Sequence, residues 1–386
     1  MRVLGMLSGT SHDGVDVALV SFEQDGDALR GHLEFGDSLP YPEELRARLI
    51  AALPPGTTTF EEVCMLDTLV GQHFALAAEA AMDGRGPTDL IASHGQTMFH
   101  WVDGRHALGT LQIGQPSWIA ARTGVPVLSD MRIRDITVGG HGAPLVSFLD
   151  TLLVADHSGR TALLNLGGIA NVTIVEQGGA PVAYDIGPSN ALIDAVVQSR
   201  HLNPAGYDEG GRIAASGQVD NAVLQRLLSD PYYELQAPKS TGKEHFNLAY
   251  LESMLSNDLD RLSAADLIAT LTELTVRVVA QDLARHGASR VLAAGGGCKN
   301  PRLMMGLRQS LPADSIALTD EVGVPADYKE AIAFALAGWC TLHGLPSTIP
   351  ECTGADAPSL LGTLTPGRDG FPLSKGAVRP RVLHVS

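Results

Sequence analysis

The chain has few cysteines and no C-x-x-C pair. Its four cysteines lie far apart in the sequence, at Cys64, Cys298, Cys340 and Cys352. This spacing indicates neither a zinc site nor a disulfide framework. Because chains without disulfides are typical of reducing compartments, we expect a cytoplasmic protein.

Positive charge and long apolar runs are also scarce. Lysine and arginine number 27 against 43 aspartates and glutamates, which gives a net charge of −16. No stripe of basic residues appears, so the sequence predicts no nucleic-acid partner. The longest later apolar run, at 331–340, is too short to cross a bilayer, and the apolar start of the chain breaks at a polar turn before a signal sequence can form. We therefore expect no membrane partner.

The 386 residues are enough for two domains with separate cores and a cleft between them. A strand, a turn with glycine and a second strand are predicted within 2–22, and the arrangement recurs within 161–175. Helices are predicted over 60–82, between Ser263 and Gly287, and over 327–343. The pattern indicates mixed α/β structure in two related halves that divide near residue 130, although strand-glycine-strand units are common in other α/β proteins.

The first turn contains the residue types that bind a phosphate. It follows an apolar strand and consists of Gly9, Thr10, Ser11, His12, Asp13, Gly14, Val15 and Asp16. Glycines let backbone N–H groups approach an anion closely, and the Thr10 and Ser11 hydroxyls can join them. The carboxylates of Asp13 and Asp16 repel a polyphosphate unless a divalent cation lies between, so a magnesium nucleotide accounts for all these groups. An ordinary Gly/Asp/Ser hairpin accounts for the same residues without a ligand.

An aspartate near the end of a later strand is the candidate general base. Asp185 follows an apolar stretch, and Gly187 and a predicted helix from residue 191 come after it. A carboxylate in this place can accept a proton while neighbouring N–H groups hold phosphate oxygens. The alternative is that Asp185 caps the helix or the turn.

Another predicted strand ends in the three glycines Gly295, Gly296 and Gly297. Their lack of side chains leaves room for a purine or ribose against the backbone. Asn300 can bind that ligand or cap the helix that Pro301 opens. The loop matches neither the dinucleotide fingerprint nor the P-loop, and a tight strand-to-helix turn is the alternative.

Further polar residues are candidates for contact with a substrate. His94 and Gln96 lie in a segment, 93–97, that is predicted to end a strand. Arg132 precedes a glycine-rich loop at 139–144 and can bind a carboxylate or phosphate through two N–H groups. Glu330 lies in the first turn of a predicted helix, where acidic residues are common because they complement the helix dipole. His94 is a second possible base, but Asp185 is the better candidate because a histidine at a strand end is more often a structural hydrogen-bonding group.

Taken together and in order, these segments resemble the anhydro-N-acetylmuramic acid kinases, which belong to the hexokinase, heat-shock-70 and actin superfamily. The matching segments are GTSHDGVD from Gly9, SHGQT from Ser93, GGHGAPLV from Gly139, NLGGIAN from Asn165, DIGPSN from Asp185, PKSTGKEHFN from Pro238, ATLTELT from Ala269, GGGCKNP from Gly295 and ADYKEAIAFA from Ala326. They run through nearly the whole chain, and their order and spacing make the resemblance specific. The chain departs from the usual family residue at His12, His141, Ile186 and Ser189.

The resemblance implies an α/β fold of two RNase-H-like domains of the actin-like ATPase type, with ATP and Mg²⁺ in the interdomain cleft and a homodimer as the assembly. The first domain is expected over 1–130, completed by 370–386, and the second over 131–369. In the implied reaction, a water molecule deprotonated by Asp185 opens the bridge of 1,6-anhydro-N-acetylmuramic acid. The released O6 takes the γ-phosphate, and the product is N-acetylmuramic acid 6-phosphate, an intermediate of cell-wall recycling.

The resemblance also implies roles for the candidate residues. The turn at 9–16 and Gly187 are expected to hold the ATP phosphates, and Asp13 and Asp16 to hold Mg²⁺ directly or through water. The three glycines at 295–297 and Asn300 are expected on the adenosine side. Contacts to the sugar or phosphate are expected from His94, Gln96, Arg132 and Glu330.

Two other functions are compatible with the same residues. A kinase of another 1,6-anhydro sugar, such as levoglucosan, needs the same base and the same nucleotide site. A non-catalytic nucleotide-binding regulator needs only the fold. The presence of Asp13, Asp16 and Asp185 argues against the regulator, because a sensor has no need of a base.

Overall fold

A computed structural model describes residues 1–9, 11–54, 56–103, 106–237, 239–243, 245–371 and 380–385, with the backbone alone at 257 and 260. The chain forms two compact units. The first comprises Met1–Ala155, Val322–Val324 and Tyr328–Ser386, and the second comprises Asp156–Glu321 and Pro325–Asp327. Among the described helices, none combines the length and the apolar character needed to cross a bilayer.

Thirteen strands occur in the described part of the chain. They are β1 Arg2–Ser8, β2 Gly14–Asp25, β3 Ala28–Pro40, β4 Leu90–Asp103, β5 His106–Ile113, β6 Val127–Ser129, β7 Arg160–Leu166, β8 Ile169–Glu176, β9 Val182–Pro188, β10 Arg290–Ala294, β11 Ile316–Leu318, β12 Thr363–Thr365 and β13 Val382–Val385.

The described helices of the first unit are α1 Glu43–Ala52, α2 Phe60–Met82, α3 Pro116–Thr123, α4 Ile133–Ile136, α5 Ser147–Leu153, α13 Lys329–Leu342 and α14 Pro350–Thr353. Those of the second unit are α6 Ala191–Ser199, α7 Arg212–Ser216, α8 Asn221–Leu228, α9 Leu248–Leu255, α10 Asn257–Arg261, α11 Ala264–Arg285 and α12 Pro301–Ser310. Short 3-10 turns lie at Glu209–Gly211, Pro231–Glu234, Gly296–Lys299 and Thr319–Val322.

The two units share one strand order. The first sheet contains the order β3-β2-β1-β4-β6, and the second has β9-β8-β7-β10-β11. In each sheet the first three strands pair antiparallel and the last three pair parallel. This is the RNase-H-like arrangement, so the prediction of two related α/β halves is confirmed. In the first sheet, β12 adds to the β6 edge and β13 to the β3 edge, and β5 pairs with β4 outside this order.

Successive side chains of β1 point to opposite faces of the first sheet. Leu4 and Met6 join the core that contains Phe74 of α2. On the opposite face α13 lies close against the strand, because Gly5 and Gly338 have no side chains: an ideal Cβ at Gly5 would lie 1.8 Å from the Ala331 carbonyl oxygen. The first sheet is therefore covered on both faces.

The core of the second unit is organised around α11. Ser263 caps this helix by accepting a hydrogen bond from the Asp266 N–H at 3.1 Å, as the sequence predicts. The apolar positions Leu267, Leu271 and Leu274 follow helical spacing and are buried in one cluster with the second sheet. This cluster packs against the sheet that contains the candidate base, Asp185.

The predicted domain boundaries differ from the observed division and are corrected here. Residues 131–155 and 328–369 pack in the first unit rather than the second. Contacts with the rest of that unit hold them there, since Arg132 donates to His94 of β4 at 2.7 Å and β12 pairs with β6 in the first sheet. The amino-acid composition does not change where the chain passes from one unit to the other, so the sequence does not predict these boundaries.

Two element ends also need correction. The segment 93–97 lies within β4 rather than at its end, because β4 runs on to Asp103 and pairs with β5. The last predicted helix begins at Lys329 instead of Asp327. The predicted α2 coincides with Phe60–Met82.

Gly5→Ala tests the close packing of β1 on α13. The added methyl group would overlap the backbone of α13, so we expect the free energy of unfolding to fall by about 2 kcal/mol or more. Denaturant unfolding followed by circular dichroism measures the change. Gly109→Ala is the matched control, because its Cβ would meet only the Trp101 ring at 3.7 Å. Equal stability of the two variants would contradict the packing described.

Candidate active site

The turn between β1 and β2 is tight and polar. The His12 N–H donates to the Gly9 carbonyl at 3.2 Å, and the Ser11 hydroxyl donates to Asp13 Oδ1 at 2.6 Å. His12 has a φ of 53°, in the left-handed region, and is buried. Thr10, which is predicted to hold phosphate, lies outside the described residues. These bonds keep the backbone of the turn compact. Gly9 has open space beside it, because an ideal Cβ there would contact only the Ser11 hydroxyl among the described atoms, at 3.8 Å.

The other residues predicted for this turn have different surroundings. Gly14 opens β2, and an ideal Cβ there would lie 2.5 Å from the Leu39 carbonyl oxygen, so packing against β3 requires glycine. Val15 is a buried core residue. Asp13 is exposed, and Asp16 is half-buried in the register of β2. Both carboxylates of the turn therefore keep some access to solvent.

Gln96 holds the turn between β1 and β2 in place through hydrogen bonds. It is fully buried, its Oε1 accepts from the Ser8 hydroxyl at 2.6 Å, and its Nε2 donates to the Gly9 carbonyl at 3.3 Å. A second N–H of the same amide donates to the Thr97 carbonyl at 3.2 Å. The amide is thus satisfied inside the protein. The geometry favours a role in holding the turn over the direct substrate contact predicted from the sequence.

His94 and Arg132 form a buried pair. The Arg132 Nε–H donates to His94 Nε2 at 2.7 Å, and one Nη1–H donates to the Gly142 carbonyl at 2.8 Å. His94 Nδ1 lies 2.9 Å from the Gly95 carbonyl, which can only accept, so Nδ1 carries the proton and Nε2 accepts. Burial and the Arg132 charge lower the pKa of His94 to about 3. His94 is therefore a neutral group that orients Arg132, and it is neither a base nor exposed enough for substrate contact.

Glu330 lies in the same region of the first unit. The residue is exposed, but the surrounding protein partly removes its carboxyl group from water, and this desolvation raises the pKa of the carboxyl. The positive charges of Arg132 and Lys329 oppose the rise. The side chains of Lys329 and Asp150 are 6% and 5% exposed and are held together at 2.7 Å. Three of the four predicted substrate residues, His94, Arg132 and Glu330, are thus brought together, and Glu330 is the exposed residue among them.

The second unit holds Asp185 within β9. Its Oδ2 accepts from the Ser240 hydroxyl at 2.9 Å and from the Thr241 N–H at 3.0 Å. Its backbone N–H donates to the Lys239 carbonyl at 3.0 Å, and the Tyr232 hydroxyl donates to its carbonyl at 2.8 Å. The segment 239–241 therefore fixes Asp185 at both its backbone and its side chain.

A second glycine turn, between β7 and β8, contacts the residues that follow β9 and is absent from the predicted site. The carbonyls of Gly167 and Gly168 accept from the N–H groups of Ser189, Asn190 and Ala191 at 2.9–3.1 Å. The Asn190 side chain also donates to the Gly167 carbonyl at 2.8 Å. The strand-glycine-strand repeat at 161–175 was the sequence signal that could have included this turn in the site.

The three consecutive glycines pack against the same turn. An ideal Cβ at Gly295 would lie 2.4 Å from Asn165 Oδ1, and one at Gly297 would lie 2.8 Å from the Leu166 Cβ, whereas one at Gly296 would meet no described atom within 4 Å. Packing therefore requires two of the glycines, and Gly296 is the position open to a ligand. Asn300 caps α12 through bonds from Arg302 and Leu303, which is the capping alternative considered for it.

Gly187 is enclosed rather than open. It lies in β9, and an ideal Cβ there would lie 2.9 Å from the Tyr233 ring. Ile186 and Ser189, where the chain departs from the usual family residues, are likewise buried. Gly187 thus serves the packing of β9, and a contact to phosphate through its backbone remains a prediction.

The donor set of the first turn suits a magnesium ion that accompanies a nucleotide. Such an ion is held by one or two carboxylates together with phosphate oxygens and water. Burial raises the pKa of Tyr41, and the negative charges of Asp13 and Asp16 add to the rise, so both carboxylates lie near one phenol. Among the described residues, no three histidine, cysteine or acidic side chains are grouped as a metal centre of their own.

Comparison with known proteins identifies the family. A family model described as anhydro-N-acetylmuramic acid kinase matches residues 1–367. The chain belongs to the anhydro-N-acetylmuramic acid kinase family. The anhydro-N-acetylmuramic acid kinase of Streptomyces coelicolor is 48% identical, and the alignment covers 100% of this chain and 99% of that relative. The enzyme of that name from Rhodococcus erythropolis is 49% identical, with 96% of each chain covered. The family resemblance of the sequence segments is confirmed.

His94→Gln tests the neutral state of His94 in the folded protein. Since folding lowers the pKa of His94 from 6.5 to about 3, the unfolded chain binds more protons between these values, and the wild type loses stability as pH falls below 6.5. Glutamine keeps an oxygen acceptor for Arg132 and does not titrate. We expect the variant to lose up to about 1.4 kcal/mol less per pH unit than the wild type between pH 6 and 4. Denaturant unfolding at several pH values measures this difference, and parallel curves would contradict a buried neutral His94.

Proposed function

We propose that this chain is an ATP-dependent kinase that opens 1,6-anhydro-N-acetylmuramic acid and phosphorylates O6, giving N-acetylmuramic acid 6-phosphate in the recycling of cell-wall sugar. The observation that carries the proposal is the carboxylate of Asp185, held by two donors beside β9, in a chain that belongs to this kinase family over nearly its whole length.

The chemistry requires one base and an activated phosphate. Asp185 takes a proton from water as the water oxygen bonds to the anomeric carbon, and the bond from that carbon to O6 breaks. O6 then bonds to the γ-phosphorus of ATP, and the bond to the β-phosphate oxygen breaks to release ADP. Phosphoryl transfer depends mainly on positioning and charge neutralisation, for which backbone N–H groups and Mg²⁺ are suited.

The nucleotide contacts follow from the two glycine turns. The turn at 9–16 is assigned to the phosphates, with Asp13 and Asp16 as the ligands of Mg²⁺, directly or through water. The second turn, at Gly167 and Gly168, is the corresponding element of the second unit and is assigned to the phosphates as well. Gly296, which has open space beside it, supports an adenosine contact.

Arg132 and Glu330 are assigned to the sugar. N-acetylmuramic acid carries a lactyl carboxylate, and a guanidinium binds a carboxylate through paired N–H groups. The Nη2 group of Arg132 has no hydrogen-bond partner among the described residues, while Nε and Nη1 are held by His94 and Gly142. Arg132 thus combines a fixed orientation with remaining donors.

Incubation of the protein with Mg-ATP and the anhydro sugar tests the proposal. We expect a sugar product heavier by one phosphoryl group plus one water, with one ADP formed for each sugar, because ring opening consumes water. Mass spectrometry measures the product and a coupled assay measures ADP. A product heavier by a phosphoryl group alone, or a preference for levoglucosan in competition, would contradict the proposed reaction.

Asp185→Asn is the matching variant in that assay. The amide cannot accept the proton, so we expect turnover to fall at least about a hundredfold while ATP still binds. Asp314→Asn is the control, since Asp314 is exposed and has a positive φ that asparagine also tolerates. Near-normal turnover of Asp185→Asn would remove Asp185 from the mechanism.

We also propose a homodimer. The first unit exposes large apolar side chains, with Phe60 96%, Phe99 49% and Trp101 54% exposed. A cavity of about 200 Å³ lies beside them, lined in part by Thr58, Phe99 and Leu111. Apolar surfaces of this kind are typical of protein interfaces. In a dimer with two-fold symmetry, an exposed side chain of each protomer can enter the cavity of its partner.

Sedimentation velocity tests the assembly. We expect a dimer for the wild type and a monomer for Phe60→Glu, since the charge would have to be buried in an apolar contact, while glutamate at the start of α2 suits the helix. Met305→Glu is the control, because Met305 is 55% exposed on α12 of the second unit. A monomeric wild type, or a dimer unaffected by Phe60→Glu, would contradict this interface.

A further inference from the structure

The segment at 239–241 is not part of the site predicted from the sequence, yet two of its groups donate hydrogen bonds to the Asp185 carboxylate. Ser240 reaches Oδ2 with its hydroxyl at 2.9 Å, and Thr241 reaches the same oxygen with its backbone N–H at 3.0 Å. The Lys239 carbonyl accepts from the Asp185 N–H at 3.0 Å, so the segment runs beside β9. Two donors converge on one carboxylate oxygen.

This convergence has a direct physical effect on the carboxylate. Two donors on Oδ2 restrict rotation of the carboxyl group, and they stabilise its charged form. A general base must be deprotonated and correctly oriented before it can accept a proton from water. The segment supplies both conditions.

Ser240 differs from the other contacts because its donor is a side chain. The Thr241 and Lys239 contacts are made by the backbone and survive side-chain substitution. Ser240 is exposed, so loss of its hydroxyl leaves no cavity in the core. We infer that Ser240 is a positioning residue that orients the carboxylate of Asp185 for deprotonation of water, an inference that rests on the proposed function.

The charged groups around the carboxylate are the same in all Ser240 variants. Lys239 is a cation that interacts electrostatically with Asp185, and its Nζ lies 4.8 Å from the Tyr232 ring centroid. Glu234, Asp282 and Arg285 in turn surround Lys239. A shift in the titration of Asp185 on changing Ser240 alone therefore reports the lost hydroxyl.

The test compares Ser240→Ala with Ser240→Thr, which keeps the hydroxyl, and with Ser240→Cys, which keeps the size but is a weak donor. For Ser240→Ala we expect the acidic limb of the kcat/KM profile to move up by about one pH unit, because a hydrogen bond to a charged group is lost. We expect kcat at neutral pH to fall about tenfold, with a partial loss for Ser240→Cys and recovery for Ser240→Thr. Ser229→Ala is the control, since the Ser229 hydroxyl is exposed and donates to the Arg226 carbonyl.

A second readout does not depend on turnover. Carbon-13 NMR of labelled aspartate carboxyls, assigned by the signal missing in Asp185→Asn, gives the pKa of Asp185 in the wild type and in Ser240→Ala. A higher pKa in the variant together with the shifted rate profile supports the inference. An unchanged pKa or an unchanged acidic limb overturns it. A wild type that does not turn over the anhydro sugar, with an Asp185 pKa that still depends on Ser240, overturns the proposed function and with it the catalytic role of the contact.

Discussion

Close backbone approach at glycine is the constraint on which the rest of this structure depends. In the first unit, Gly5 lets α13 lie directly on β1, and α13 carries Lys329 and Glu330. In the second unit, Gly295 and Gly297 let the end of β10 meet the turn after β7. A single methyl group at these places would separate the layers, and the polar groups at the strand ends would no longer converge.

Polar groups within each unit are held by short, specific contacts. Two cations are held in this way, since Arg132 donates to His94 and Lys329 forms an ion pair with Asp150, which avoids the cost of an isolated buried charge. Asp185 accepts two hydrogen bonds in a comparable way. Fixed donors and acceptors need little rearrangement during a reaction, which is the condition for strong electrostatic stabilisation of a transition state.

The sequence predicts the elements of this fold well, because their signals are local. The capping pair at Ser263 and the period of α11 predict that helix, and the repeated strand-glycine-strand pattern predicts two related sheets. The division into units depends instead on contacts such as the pairing of β12 with β6, which joins residues far apart in the sequence and leaves no local pattern. Family resemblance selects Asp185 and also includes the segment that contains Ser240, but the contact between the two residues forms only in the folded chain.

His94 and Gln96 are predicted from the sequence to contact the substrate, but in the structure both have a supporting role. A histidine and a glutamine have the chemistry to bind a sugar, and their residue types alone do not distinguish a substrate contact from a structural role. Burial decides between these roles, since the His94 ring and the Gln96 amide are satisfied inside the protein. Arg132 and Glu330 keep groups that a ligand can reach, and so they remain the proposed sugar contacts.

A crystal structure of the protein with Mg²⁺, a non-hydrolysable ATP analogue and the anhydro sugar tests the central claim most directly. The account predicts an ordered water within about 3.2 Å of an Asp185 carboxylate oxygen and in line with the anomeric carbon. A complex in which the Asp185 carboxylate is remote from the sugar, with another side chain holding the water, would contradict it.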